Sequence, residues 1–256
     1  MQYNKQINIF VENFVATVVL DRPPHNFVDV GLVTSLADCL DELDSDARCR
    51  VVILATEGKN FCAGADFSGV QAGNGFVDSH QLYRQAMRLF ETRKPIVAAV
   101  QGAAVGAGAG LAIAADFRIV STTSRFKFNF NRLGFHPGFG LSYTLPLLVG
   151  KQRAARLFYT GDPVSGEEAV AIGLADELAA DGQVRTQALA FALQIAQSAP
   201  KAVESTREAL RRGLAQKVRA FNEHEMEFQK IQFQSADFRE GVAAAAERRT
   251  PIFSGT

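Results

Sequence analysis

The spacing of apolar and polar positions changes several times along the chain. Ile7 to Glu12 and Val15 to Leu20 carry β-branched residues in short runs joined around Asn13, which predicts two paired strands. Arg22-Pro23-Pro24-His25-Asn26 breaks that pattern. After Asp29, a candidate N-cap, Val33, Leu36, Ala37, Leu40 and Leu43 recur at helical spacing. Val51 to Ala55 is an unbroken apolar run of strand length, as expected of a strand buried on both faces. Leu82, Ala86, Leu89 and Phe90 mark another helix. Pro95 opens a second buried strand over Ile96 to Val100, and Phe117 to Val120 reads as a further one. Strand followed by helix recurs through the first half without internal sequence repeats, which predicts an α/β fold with a largely parallel sheet.

The second half reads as mostly helical. A helix is predicted over Lys151 to Tyr159 after Gly150, and Ser165 with Glu168 forms a capping box for a short helix ending near Gly173. Gln183 to Gln197 and Lys201 to Leu214 follow, separated by Ala199-Pro200, and a last helix runs from Ser235 to about Arg249. These late helices are rich in alanine, which suits packing on other subunits or on one face of the sheet. The expected division is a core over residues 1–198 and a C-terminal helical region over residues 199–256.

Composition narrows the function classes. With 256 residues, 47% of them hydrophobic, the chain can bury a sizeable core. Lys plus Arg equals Asp plus Glu at 27 each, so no basic excess points to nucleic acid. Three cysteines, Cys39, Cys49 and Cys62, are an odd number without metal-ligand spacing, which suits a reducing compartment. The first ten residues, MQYNKQINIF, lack the pattern of a secretory signal, and the expected location is cytoplasmic. Ala98 to Ala115 carries no charge, but it is dense in glycine and bounded by Pro95 and Asp116. A buried turn and helix is expected there, not a membrane span.

Two stretches hold the candidate chemistry: Phe61 to Asp66, FCAGAD, and Ala98 to Asp116, AAVQGAAVGAGAGLAIAAD. Each puts small residues where a strand gives way to a loop or helix, so backbone N–H groups can face a ligand oxygen unobstructed. The pair reads as two halves of an oxyanion hole. Competing motifs fail. Gly106, Gly108 and Gly110 are spaced by two, out of register with a dinucleotide-binding loop, and no Gly-Lys-Ser/Thr occurs. Gly140-Leu141-Ser142-Tyr143-Thr144 lacks the second glycine of a nucleophile elbow. Cys62 reads as a small half-buried thiol before it reads as a nucleophile. His25, His80, His136 and His224 are scattered, so no metal site is expected. The segment with Gly69, Gly73 and Gly75 is expected to be mobile.

Taken in order, the chain resembles the crotonase, or enoyl-CoA hydratase/isomerase, superfamily. The likeness is carried by Asp21-Arg22-Pro23 with Asn26, by Val51-Val52-Ile53-Leu54 leading into the FCAGAD loop, and by Lys94 to Gly102, KPIVAAVQG. It continues through Ala115-Asp116-Phe117-Arg118, Leu145-Pro146, Val149-Gly150 and Gly161-Asp162-Pro163. It closes on Phe238-Arg239-Glu240-Gly241 and Glu247 to Phe253. The resemblance implies a crotonase-like spiral of ββα units with a C-terminal helical region, assembled as homotrimers or dimers of trimers. It also implies an acyl-CoA thioester as substrate, no separate cofactor, and backbone donors at Ala63 and Ala107 for the thioester oxygen. The substrate-binding set it implies is His25, Ala63, Gly64, Ala65, Asp66, Ala107, Phe130 and Arg248. Arg248 lies where the family has a cation near the CoA nucleotide, and Asp66 braces its loop.

The chain departs from the family at its acids. Hydratases carry two glutamates, which would fall at Gly110 and Phe130. Some isomerases place a single glutamate where this chain has Gly138. All three positions lack an acid. His136 is then the candidate general base, because an unperturbed imidazole titrates near neutral pH. Arg132 is a candidate for orienting an acidic acyl group. Phe126, Phe128, Phe130, Phe135 and Phe139 are expected to form core, with one or two lining an acyl pocket. Three readings stay open at this point: hydratase/isomerase-type enolate chemistry, a non-catalytic acyl-CoA-binding or assembly subunit, and a thioester hydrolase or dehalogenase.

Overall fold

The computed structural model describes residues 2–67 and 79–256. The stretch with Gly69, Gly73 and Gly75, expected to be mobile, lies outside the described residues. The elements, in chain order, begin with β1 (Gln2–Asn4), β2 (Ile7–Glu12), β3 (Val15–Leu20), α1 (Val30–Ser45) and β4 (Val51–Thr56). Next come α2 (Ser79–Met87), β5 (Ile96–Val100), β6 (Ala103–Val105), α3 (Ala107–Ala114), β7 (Phe117–Ser121) and β8 (Arg125–Lys127). The chain then forms α4 (Leu141–Val149), α5 (Lys151–Thr160), β9 (Val164–Ser165), α6 (Gly166–Ala171) and β10 (Glu177–Ala179). Four helices close it: α7 (Val184–Ala196), α8 (Pro200–Leu210), α9 (Leu214–Gln232) and α10 (Ala236–Ala246).

Seven strands make the main sheet in the order β1-β2-β3-β4-β5-β7-β10. Its first two pairings are antiparallel and the rest parallel. The parallel strands are apolar throughout because both faces are covered. One face, with Val15, Val19, Val51, Ile53, Val97 and Ile119, packs under α7. That helix offers Ala188, Ala192 and Ala196 at i, i+4 spacing, and these small side chains let it lie close to the sheet. The opposite face, with Val18, Leu20, Val52, Leu54, Ala98 and Val100, belongs to the larger core shared with α1 and α3.

The predicted strands and α1 form as expected, and Asp29 caps α1 by accepting from the Leu32 N–H at 2.8 Å. Ser165 likewise accepts from the Glu168 N–H at 3.1 Å. Periodicity did not reveal the second sheet, β6-β8-β9, or α4 and α9. The helix expected to reach Leu214 stops at Leu210, with Gly213 left-handed at φ 75°. The uncharged stretch Ala98 to Ala115 divides into β5, β6 and the eight-residue α3. Among the described residues, no helix is long and apolar enough to cross a membrane.

Candidate active site

β4 and β5 are parallel neighbours, so the loops that follow them emerge at the same end of the sheet. Cys62 ties those loops together: its N–H donates to the Ala103 carbonyl, and its carbonyl accepts from the Val105 N–H, both at 2.9 Å. Next along, Val28 and Ala65 form an isolated parallel bridge in which the Val28 N–H donates to the Gly64 carbonyl at 2.9 Å. Successive residues of extended chain point their N–H groups to opposite sides. Gly64 and Asp66 therefore face Val28, while the Ala65 N–H faces away from it and has no hydrogen-bond acceptor among the described residues. Gly64 is required here on two counts. Its φ is +96°, and a Cβ would come within 2.9 Å of the Val105 carbonyl oxygen.

Ala107 supplies the second donor without an acceptor among the described residues. It is the first residue of α3, whose opening N–H groups have no intrahelical acceptor and carry the positive end of the helix dipole. Gly106 before it takes φ 54° and ψ −117°, and its own N–H is held by the Lys127 carbonyl at 2.8 Å. Ala107 itself has no positive φ, so alanine replaces glycine without strain.

One of the expected donors is corrected. The Ala63 N–H donates to the His25 carbonyl at 2.9 Å, so it is not available to a ligand. The available pair is Ala65 and Ala107.

Both open into a cavity of about 240 Å³ lined by Phe27, Ala63, Gly64, Ala65, Phe67, Tyr83, Val105, Gly106, Ala107, Asn129, Phe130, Leu133 and Phe135. The walls are aromatic: Phe130 meets Phe135 edge-on at 5.5 Å, and Phe67 lies 5.8 Å from Phe135. The structure thus brings together Ala63, Gly64, Ala65, Ala107 and Phe130 of the expected set. His25 reaches the site through its carbonyl, while its exposed ring packs on Phe27 at 4.9 Å. Asp66 and Arg248 are exposed and do not line the cavity. Arg248 lies two residues past the end of α10 at φ 56°, and its guanidinium has no partner among the described residues. Tyr83 and Asn129 went unnoticed in the sequence, because a tyrosine on the inner face of a helix reads as core.

His136 is not brought to the cavity. Its ring stacks on Phe228 of α9 at 5.2 Å and 18°, and its Nδ1 lies 2.7 Å from the Pro137 carbonyl oxygen. Burial holds its pKa below the usual imidazole range, and the Pro137 carbonyl opposes that shift. Cys62 is no nucleophile either: burial pushes its thiol up to about 12.

The positions without an acid are filled by neighbours. A Cβ on Gly110 would lie 2.6 Å from the Phe139 ring, and one on Gly138 would lie 2.5 Å from Tyr83 Cζ and Oη. Phe139 is fully buried at φ 67°, a left-handed conformation its surroundings must maintain. A larger cleft of about 340 Å³ lies between α8 and the sheet, but Asp116 there pairs with Arg207 and Arg211 at 2.9 Å. The two backbone donors without acceptors among the described residues are in the smaller cavity.

Two loops that follow parallel strands thus place the Ala65 and Ala107 N–H groups, neither with an acceptor among the described residues, at one aromatic-walled cavity of an α/β fold. The chain belongs to the enoyl-CoA hydratase/isomerase family, the crotonase superfamily, whose model matches residues 11–256. It is 34% identical to a probable enoyl-CoA hydratase of Bacillus subtilis, over 97% of this chain and 98% of that protein. It is 30% identical to the 1,2-epoxyphenylacetyl-CoA isomerase of Escherichia coli, over 96% and 97%. An enoyl-CoA hydratase/isomerase structure from Pseudoalteromonas atlantica matches it with a TM-score of 0.88 at 31% identity, covering 98% of this chain and 100% of that one. The protein is an enzyme of this family with the crotonase fold.

Proposed function

We propose that the protein binds an acyl-CoA thioester with its carbonyl oxygen between the N–H groups of Ala65 and Ala107, and that it stabilises the enolate formed at Cα. The observation that carries this reading is that two backbone donors without acceptors among the described residues lie at one apolar cavity. Enolate formation moves negative charge onto the thioester oxygen. Fixed donors in a site of low water content stabilise that charge without reorganising, by about 3–4 kcal/mol for one donor. The names of the relatives, hydratases and an isomerase of CoA thioesters, support hydration or isomerisation as the reaction class. Arg248 is proposed to meet the CoA phosphates, which a guanidinium binds in bidentate fashion. His136 has no part in this reading.

Turnover of a panel of enoyl-CoA thioesters, read by mass spectrometry, tests it. Ala107→Pro deletes one donor at a helix position that accepts proline. A fall in kcat of roughly 10²–10³-fold is expected, with the fold retained by circular dichroism. No turnover of any thioester, or turnover unchanged in Ala107→Pro, would overturn the reading.

A further inference from the structure

Among the described residues lining the cavity, only Tyr83 and Asn129 have polar side chains. The Asn129 amide has no hydrogen-bond partner among the described residues. Tyr83, 4% exposed, is the more constrained of the two. Its hydroxyl end sits in the space that Gly138 leaves open, beside Gln229 Nε2: a Cβ on Gly138 would meet Tyr83 Oη at 2.5 Å and that nitrogen at 2.6 Å.

Gln229 is itself fully buried, and its Nε2 donates to the His136 carbonyl at 2.8 Å. A carbonyl only accepts, so this bond fixes which end of the amide faces the loop. The group beside the phenol oxygen is therefore an N–H donor. Consistent with that, the Gln229 contact favours the phenolate, against the larger opposing effect of burial, which pushes the Tyr83 phenol well above its ordinary range. The hydroxyl proton thus stays on its oxygen and has no acceptor among the described residues. A hydroxyl proton without an acceptor in an apolar cavity is costly, and a ligand oxygen would satisfy it.

We propose that Tyr83 donates a hydrogen bond to a second oxygen on the acyl group. The preferred substrate class is then a compact acyl thioester bearing an oxo, hydroxy or epoxide oxygen, not a plain hydrocarbon chain. The four phenylalanines that line the cavity, Phe27, Phe67, Phe130 and Phe135, set the compact apolar part of that specificity, and the hydroxyl reads the oxygen. This rests on the acyl-CoA reading above.

Calorimetric binding separates the two. Butanoyl-CoA is compared with 3-oxobutanoyl- and 3-hydroxybutanoyl-CoA, and phenylacetyl-CoA with its ring-hydroxylated forms. At least one oxygenated thioester should bind roughly tenfold tighter than its plain partner. In Tyr83→Phe that ratio should fall to about one, with the plain thioester's Kd within about twofold of wild type. Gly138→Ala, whose Cβ crowds the hydroxyl, should collapse the same ratio and provides the test if Tyr83→Phe folds poorly. Equal binding of plain and oxygenated thioesters, or a ratio that survives both substitutions, overturns the inference alone. Binding of no thioester at all overturns the acyl-CoA reading and the inference with it.

Discussion

At the scale of single residues, one position in the FCAGAD loop decides what the site can do. Ala63, Gly64 and Ala65 are all small and all adjacent, and composition alone does not say which N–H is available. The answer depends on pairing across the chain: His25 takes the Ala63 N–H, Val28 takes the Gly64 carbonyl, and the Ala65 N–H has no acceptor among the described residues. No local pattern in the sequence encodes those long-range bonds. The small residues were legible, and the identity of the donor was not. The same applies to His136, whose titration range made it a candidate base, while its ring stacks on Phe228 and does not line the cavity. His136→Ala should therefore keep kcat/KM within about threefold of wild type, a change of less than about 1 kcal/mol. Steady-state kinetics on whichever thioester turns over checks this, and a hundredfold loss would return His136 to the mechanism.

Among the elements, α9 is the one the sequence conceals and the site depends on. Its inward positions include Asn222, Glu225 and Gln229, so the apolar stripe that betrays most helices is interrupted by polar residues. Glu225 and Gln229 satisfy backbone on the facing loop, Gln229 through the His136 carbonyl, whereas Asn222 Nδ2 contacts only Met226 Sδ of the same helix, at 3.8 Å. Glu225 accepts from the Gly140 N–H at 2.7 Å, the Ser142 N–H at 2.8 Å and the Ser142 hydroxyl at 2.5 Å, which caps α4. Burial outweighs these bonds and raises the Glu225 carboxyl from 4.5 to about 7. The folded state then holds a proton that the unfolded state releases. The associated stability is fully present below pH 4.5 and is lost as the pH rises through about 7. At ~1.4 kcal/mol per unit the loss is on the order of 3 kcal/mol. Glu225→Gln should flatten that part of the profile. Urea unfolding at pH 5 and pH 8 would show it, and parallel profiles for the two proteins would contradict it.

Over the whole molecule, the parallel sheet was legible because its strands are buried on both faces and read as unbroken apolar runs. The second sheet was not, since β6, β8 and β9 are three, three and two residues long, too short to show any period. Exposed Leu147, Tyr159, Phe221, Phe228 and Ile231 lie on α4, α5 and α9, apolar surface that a lone chain would leave in water. We propose that assembly into trimers or pairs of trimers covers it, with the C-terminal helices from residue 199 onward in the contact. Light scattering after size exclusion should give three or six chain masses, and a monomer at micromolar concentration would rule this out.

The central claim is that the Ala65 and Ala107 N–H groups hold a thioester oxygen. Isotope-edited infrared spectroscopy of a bound acyl-CoA carrying ¹³C at its carbonyl reads that contact directly. Two donors on the oxygen polarise the bond, so the carbonyl stretch should fall below its frequency in water, and about half of the shift should vanish in Ala107→Pro. A bound carbonyl at or above its solution frequency would contradict the account.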